Sequence, residues 1–599
     1  MSPTASDATP QPRYKTLPLV VVVWAAVVAG FALRDLNAGP NYSTDDAMRL
    51  VQIRDLLAGQ NWFDTTQYRL DPPEGLLMHW SRLIDAPLAG IIRLGTILGL
   101  PAARTEEIAV LIWPASMLLV FLLGVARLAR ELGGPLAPQF AIIFVALTAP
   151  IVHQFRYGGI DHHNAQLALL VWGLAFAVRT EVRTAVAAGI CCALAVAIGQ
   201  ENTPAIAAIA ATVGLHWVIR GNAVKDTTIA FALTFAAGTL VLFAATVAAS
   251  AYTIVWCDAL SIAHVSATII GGGGLACLAA SSIFNTVNRR LAGATTHGGI
   301  TILALGLAFP ECFGDPYLHV DPRLATLWLG NVSEAASFPT ILQNKPHMVL
   351  SLYGLIVAGL AAGIYYSIRL DKDARWAWVA SVIVLAPLTV MTLWQVRSGI
   401  AGNAIAIPLV AAAVVQIHSR RGEREVFLGM GRTALVLLTL CNPLSLIAIG
   451  NVTERAINAM SGRERPTEVA DGPGTCVGTT DYIALQQLPR GLVAAFIDAG
   501  PFILTATSHS VLAAPYHRNF RGAGKTYDIF LSLPEVAARH LAALNVSYVA
   551  LCPGAAEAQI FAEAAPEGLA ADLGRGKIPT FLERIALEQT KLMVYRVVR

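Results

Sequence analysis

The sequence predicts a polytopic α-helical membrane protein of about thirteen transmembrane helices, followed by a C-terminal external α/β domain. Three observations predict it. The 599-residue chain is 55% hydrophobic and only 14% charged, where a large soluble protein carries about 25% charged residues. Its mean hydropathy is +0.59, and the apolar residues collect in runs of roughly 17–25, the length that crosses a bilayer as a helix. Lys and Arg fall in alternate loops, as the cytoplasmic preference of basic residues requires.

Residues 1–16 are polar and form a cytoplasmic tail, with Arg13 and Lys15 ahead of the first apolar run. Leu17–Leu33 is long enough to span and lacks a small-x-small cleavage site, so it reads as a retained helix. The next clear span begins near Ile108, leaving residues 35–107 as one long external loop. Within that loop, Leu83–Leu100 is apolar but carries Asp85 and Arg93 and ends in Leu-Pro. It reads as a helix lying on the membrane surface, because counting it as a span would place the Arg127/Arg130 loop outside. Spans follow near 108–126, 137–155, 163–178, 184–199, 204–219, 227–249, 265–284, 297–311, 347–367, 376–394, 401–417 and 427–449. The loops with Arg179 and Arg183, Arg220 and Lys225, Arg289 and Arg290, Arg369 to Arg375, and Arg420 to Arg424 then all fall inside. An odd number of crossings returns the chain to the outside. The transmembrane domain thus covers residues 17–450 of an inner-membrane protein, and 451–599 form a periplasmic domain. There Leu492–Ile497 and Val546–Cys552 read as buried strands and Pro534–Leu544 as a helix between them, an α/β pattern.

Charge and cysteine usage narrow the function classes. The net charge of +3 is spread along the chain with no basic block, which gives nucleic acid no footprint. The eight cysteines contain no Cys-x-x-Cys pair, which argues against a cysteine-based zinc site. Cys476 and Cys552 share the external domain, where an oxidising compartment permits a disulfide, although sequence alone does not fix the pairing.

Three acidic clusters fall on the external side. Asp45-Asp46 opens an amphipathic stretch past the first span. Ser43, Thr44 or Asp45 can cap that helix, with Asp46 favoured at its positive end, and a capping carboxylate keeps one oxygen for a metal. Asp161-His162-His163 follows Arg156-Tyr157-Gly158-Gly159 and begins a span. It reads either as a helix cap with interfacial histidines or as a carboxylate and imidazoles reaching a common ion; ionisable groups at a bilayer boundary favour function. Glu334 lies in Asn-Val-Ser-Glu within a long external loop, 312–346, and loops of that length between packed elements are commonly functional. Glu201 is a possible fourth acidic contributor, although Glu201-Asn202-Thr203-Pro204 also reads as a helix start. Arg397 ends a span, where its planar fork suits a phosphate or snorkels to water. Tyr516-His517-Arg518-Asn519 is a polar cluster without an assigned role. Gly271–Gly274 is one broken-helix signal of the kind a secondary transporter needs in pairs, and it has no counterpart.

These motifs, in this order and on this side, resemble the catalytic subunit of oligosaccharyltransferases, within the GT-C class of membrane glycosyltransferases. Asp45-Asp46 resembles the first-loop acidic motif. Asp161-His162-His163 is similar to the Asp-His-His form of archaeal members, and Val332-Ser333-Glu334 to the Ser-Val-Ser-Glu motif. The resemblance implies a polyprenyl-phosphate- or pyrophosphate-linked sugar donor lying in the lipid bilayer, and inversion at the sugar. It implies a divalent cation, Mg or Mn, on Asp46, Asp161 and His163, and donor-phosphate contacts from Arg397 and His162. Asp45 or Asp46 with Glu334 would act on the acceptor nucleophile. The chain departs from the family in one respect: residues 452–599 contain no tryptophan, so the Trp-Trp-Asp motif that reads Asn-x-Ser/Thr acceptors is missing. The acceptor is therefore open among protein, glycolipid and polysaccharide.

Overall fold

A computed structural model describes residues 16–35, 39–314, 321–371, 374–418 and 478–598, with Cys476 and scattered residues between 432 and 453. Helices occupy the apolar runs. Among the described residues, eight helical stretches are long and apolar enough to cross a membrane: Thr16–Arg34, Ala102–Leu147, Thr203–Thr246, Ile262–Ala280, Val287–Ala308, Pro346–Arg369, Trp376–Trp394 and Val396–His418. The Ala102–Leu147 and Thr203–Thr246 stretches each hold two helices joined by a 3-10 turn, at Gly134–Leu136 and Gly221–Val224. His163–Ala177 and Val182–Ile198 are shorter apolar helices. The expected span at 427–449 lies largely outside the described residues.

Local chemistry explains where the helices depart from the apolar runs. The run at 137–155 breaks at Thr148 into Ala137–Leu147 and Ala149–His153, because Pro150 has no N–H with which to continue the ladder. The helix expected from 297 starts earlier, at Val287, where the Thr286 hydroxyl accepts from Arg289 N and Arg290 Nε donates to Val218 O at 2.9 Å. The four-glycine run does not unwind. It forms a π turn, Ile269–Gly273, and helix continues on both sides.

The first long loop is structured. It contains the helix Thr44–Leu57, a two-stranded ribbon of β1 (Thr66–Gln67) and β2 (Leu76–Leu77), and the helix Arg82–Ile97. On the last of these Leu94 and Ile97 are exposed while Arg82 and Asp85 are buried, as suits a helix with one apolar face on lipid.

The C-terminal domain is built on a five-stranded mixed sheet of β3 (Leu492–Ala495), β4 (Ser510–Val511), β5 (Tyr548–Leu551), β6 (Leu582–Ile585) and β7 (Met593–Val597), in the order β4-β3-β5-β7-β6. β3 runs parallel to β4 and β5, and β7 pairs antiparallel with β5 and β6. The helix Pro534–Ala543 leads into β5. The first loop and this domain share one core, in which Met48, Val51, Leu70 and Trp80 pack with Leu485, Val493 and Ile503. Arg69 fixes the seam by donating to the carbonyls of Leu504, Thr507 and His509 at 2.8–3.1 Å, and Thr505 Oγ1 donates to Ala47 O at 2.7 Å.

Two disulfides lie on this side, Cys476–Cys552 and Cys257–Cys312. The second joins loops between helices and has no sequence signature. Replacing Cys476 with Ser should lower stability by about 2–4 kcal/mol through loss of a long-loop constraint on the unfolded chain. Thermal unfolding with and without reductant measures it; equal transitions would exclude a stabilising cross-link.

Candidate active site

Ser43 caps the helix Thr44–Leu57 in a capping box, its hydroxyl accepting from Asp46 N at 3.2 Å while Ser43 N donates to Asp46 Oδ2 at 2.9 Å. Asp46 is 1% exposed. Its Oδ1 accepts the backbone N–H groups of Ile160 and Asp161 at 2.8 and 2.9 Å. Its Oδ2 also accepts from the Ser43 hydroxyl and the Arg156 guanidinium. Both oxygens accept hydrogen bonds, so Asp46 clamps the second motif to the start of its helix, and it also lines the cavity. Asp45, one position earlier, lines the cavity with Asp161, His163, Glu201, Glu334 and Arg397.

The turn before the second motif depends on Gly158, at φ +92°, a conformation that L side chains rarely adopt. Gly158 N donates to Val110 O and Tyr157 O accepts from Asn41 N, so this turn is tied to the chain just before Asp45. Asp161 then presents two unlike oxygens. Oδ1 accepts from His162 Nδ1 at 2.5 Å and from Arg49 Nη2 at 3.4 Å. Oδ2 is buried, has no hydrogen bond, and lies 3.2 Å from His163 Nε2. One ligand atom from each of Asp161, His162 and His163 falls within 4.8 Å of the others, a grouping able to hold a metal ion.

His162 is not among the residues that line the cavity. It is 3% exposed and bridges Asp161 and Glu201, with Nε2 3.0 Å from Glu201 Oε1. Both nitrogens are engaged, and the ring lies behind the cavity wall. Glu201 also accepts from Gln166 Nε2 at 2.9 Å. A Cβ on Gly199 would come within 2.7 Å of Glu201 Oε2, so the missing side chain there leaves room for this carboxylate.

Burial sets the charge states of these groups against their partners. It would drive His162 neutral, yet Asp161 and Glu201 outweigh it and hold the imidazole pKa at about 10. Burial likewise opposes ionised Glu201, but His162 keeps that carboxyl well below the usual range. Asp45 is pushed well above the carboxylate range, first by burial and then by repulsion from Asp161 and Glu334. The raised His162 pKa stabilises the fold fully below the imidazole's ordinary 6.5, and that contribution is lost as pH rises through about 10. Thermal unfolding of metal-free protein should therefore fall over that window, and His162→Gln should flatten the fall. An unchanged slope would place His162 outside this ion network.

Opposite the Asp-His-His turn, Glu334 sits in the 3-10 turn Ser333–Ala335, and Arg397 in another, Val396–Ser398. Val396 N donates to Ala336 O at 3.0 Å, which holds the two turns together, and Arg397 Nη1 stands 3.9 Å from Glu334 Oε1. The cavity they close has a volume of about 590 Å³, within the usual range for small-ligand sites.

Several site residues carry little sequence signal. Arg49 is fully buried under the second motif. It donates to Asp85 Oδ1 at 3.0 Å and Asp161 Oδ1 at 3.4 Å, and lies 4.6 Å from the centre of the Trp80 ring. Its one signal is a charge among Met48, Leu50 and Val51, one helical turn after Asp45. From the C-terminal domain, Asp498 and Glu557 line the cavity. Burial, then the nearby Asp498 charge, push Glu557 up to about 8.

No protein-family model matches the sequence, and no curated protein is similar to it. Solved structures do match. The archaeal oligosaccharyltransferase AglB from Archaeoglobus fulgidus, in complex with an inhibitory peptide and a dolichol-phosphate, superposes with a TM-score of 0.68 at 15% identity, over 94% of this chain and 72% of that one. The same enzyme tethered to an acceptor peptide with the NVT sequon gives 0.67 at 16% identity, over 98% and 74%. ArnT from Cupriavidus metallidurans bound to undecaprenyl phosphate gives 0.44 at 12% identity, over 97% of each chain. Helices that can cross a membrane, a C-terminal sheet domain and superposition of 94% of this chain on 72% of AglB show that this chain has the fold of that oligosaccharyltransferase, a GT-C fold.

Proposed function

We propose that this protein is a metal-dependent, inverting glycosyltransferase that moves a sugar or oligosaccharide from a polyprenyl-linked phosphate or pyrophosphate to an acceptor on the external face of the membrane. One observation carries the reading: Asp45, Asp161, His163, Glu334 and Arg397, from four separate segments of the chain, line a single cavity. The fold shared with AglB, which is seen with dolichol-phosphate, supports a lipid-linked donor. The two disulfides on the site's side support an oxidising, external compartment.

The donor set fits a divalent cation. Asp161 Oδ2 has no hydrogen bond and faces His163 Nε2, and Asp45 and Asp46 bring further carboxylates to the same cavity. Mixed carboxylate and imidazole ligands suit Mn better than Mg. When bound, such a cation supplies neutralisation of charge on the departing phosphate. Arg397 offers the phosphate a two-pronged donor. Glu334, exposed at the mouth, orients the acceptor hydroxyl or amide and takes its proton. Attack from the face opposite the phosphate inverts the sugar carbon. Arg49 and His162 hold Asp161 in place from behind.

A glycolipid or polysaccharide acceptor is favoured over a protein one by the absence of tryptophan from residues 452–599. Mass spectrometry of envelope fractions from a deletion strain tests both readings. Loss of sugar from a glycolipid or polysaccharide, with peptides unchanged, supports the first; loss from Asn-x-Ser/Thr peptides supports protein glycosylation. No change in any glycan, with purified protein inert toward polyprenyl-linked sugars, would sink both.

A further inference from the structure

We infer that His79, Asp258 and His517 form a second metal site, separate from the Asp161-His163 centre and suited to zinc. The three residues come from distant parts of the chain. His79 lies between β2 and the helix Arg82–Ile97. Asp258 lies in the strap between the helices Lys225–Thr246 and Ile262–Thr268. His517 opens a 3-10 turn of the C-terminal domain, His517–Asn519. One ligand atom from each lies within 4.8 Å of the others, and the two imidazole centroids are 4.6 Å apart.

A tetrahedral zinc ion with bonds of about 2.1 Å needs ligand atoms roughly 3.4 Å apart. Closing this cluster onto an ion therefore takes side-chain shifts on the order of 1 Å. A second observation points to a ligand: His79 Nδ1 is buried and has no hydrogen-bond partner, a costly state for a polar atom in a folded protein.

The carboxylate is already oriented as a ligand would be. Arg518 donates to Asp258 through Nη2 to Oδ1 at 2.6 Å and through Nε to Oδ2 at 2.7 Å, and its guanidinium lies 4.0 Å over the Trp256 ring. Hydrogen-bonded support of this kind fixes metal-ligating carboxylates. His517 Nε2 stands 2.6 Å from Asp258 Oδ2. On metal binding the neutral His517 ring carries its proton on Nδ1, freeing Nε2, and the ion takes its position between that nitrogen and the Asp258 oxygen. Two imidazoles and a carboxylate favour zinc over magnesium, which prefers oxygen ligands. The adjacent Cys257–Cys312 disulfide holds the strap that carries Asp258. The ion would staple first loop, strap and C-terminal domain beside the cavity, which His517 also lines.

The test uses full-length protein in detergent, stripped with chelator and re-equilibrated with equimolar zinc under excess magnesium. Bound zinc is read by inductively coupled plasma mass spectrometry. The expected result is one zinc per chain in the wild type and in Asp161→Ala, with affinity at least tenfold weaker in His79→Gln and His517→Gln. Zinc lost in Asp161→Ala but kept in both histidine variants would overturn the inference, as would no zinc in the wild type. Anomalous scattering at the zinc edge from wild-type crystals gives an answer even if the variants fail to fold. A peak among the three side chains supports the site, and a peak only at Asp161 and His163 overturns it. Neither outcome bears on sugar transfer, so this inference and the proposed function stand or fall separately.

Discussion

Asp161→Asn should reduce sugar transfer by about 100-fold or more while leaving a folded, membrane-inserted protein. The substitution keeps the shape of the side chain and removes one charge. Oδ2, the buried oxygen with no hydrogen bond, is replaced by a weaker acceptor or by an amide N–H that faces His163. Losing one preorganised group at a site of developing phosphate charge commonly costs about 10²–10³ in rate. The loss should be accompanied by a higher requirement for Mn or Mg, because a ligand has been weakened. Purified variant in liposomes with a polyprenyl-linked donor, titrated with Mn, provides the measurement. Full activity at the wild-type metal concentration would remove Asp161 from the cation site and leave the Asp-His-His turn with a structural role alone.

Arg49→Met should produce the largest loss of stability, about 3–5 kcal/mol. The guanidinium is fully buried and joins Asp85 to Asp161, and removing one partner of a buried pair leaves an uncompensated charge in a low-dielectric interior. Arg82 still pairs with the other oxygen of Asp85 at 3.1 Å and His162 with Asp161 at 2.5 Å, so the loss falls at the low end of that range and is shared by both carboxylates. Activity should therefore drop with stability, and Arg49→Lys, which keeps the charge without the fork, should recover part of each. Thermal unfolding in detergent and the fraction of monodisperse protein on size exclusion report the effect. A variant as stable as wild type would mean that Asp85 and Asp161 are solvated well enough to tolerate the loss.

Much of the helical architecture was legible because the bilayer imposes long apolar runs. The C-terminal strands were legible from short apolar segments such as Val546–Cys552. The site was legible at the level of motifs and less so at the level of single side chains. Asp45 and Asp46 are chemically alike, and the cap is what sets their surroundings apart. Ser43 at the N-cap turns Asp46 inward as the third residue of its helix, a spacing close to the Ser-x-x-Glu signature. In the second motif, the bond between His162 and Glu201 decides which imidazole faces the cavity, a contact across 39 residues. Arg49 was hidden because its partners Asp85 and Asp161 arrive from elsewhere in the chain.

The seam between the first loop and the C-terminal domain has a consequence for biogenesis. Arg69 and the carbonyl of Thr507 are 438 residues apart in the chain. At synthesis rates of about 5–20 residues per second, roughly 20–90 s separate their emergence. During that interval Met48, Val51 and Leu70 lack the Leu485, Val493 and Ile503 side chains that complete their core. The nascent protein is then vulnerable to proteases and to mispairing of its early segments, and a chain terminated before residue 500 never completes the loop that carries Asp45. Quality control that senses the last domain would thereby also certify the first.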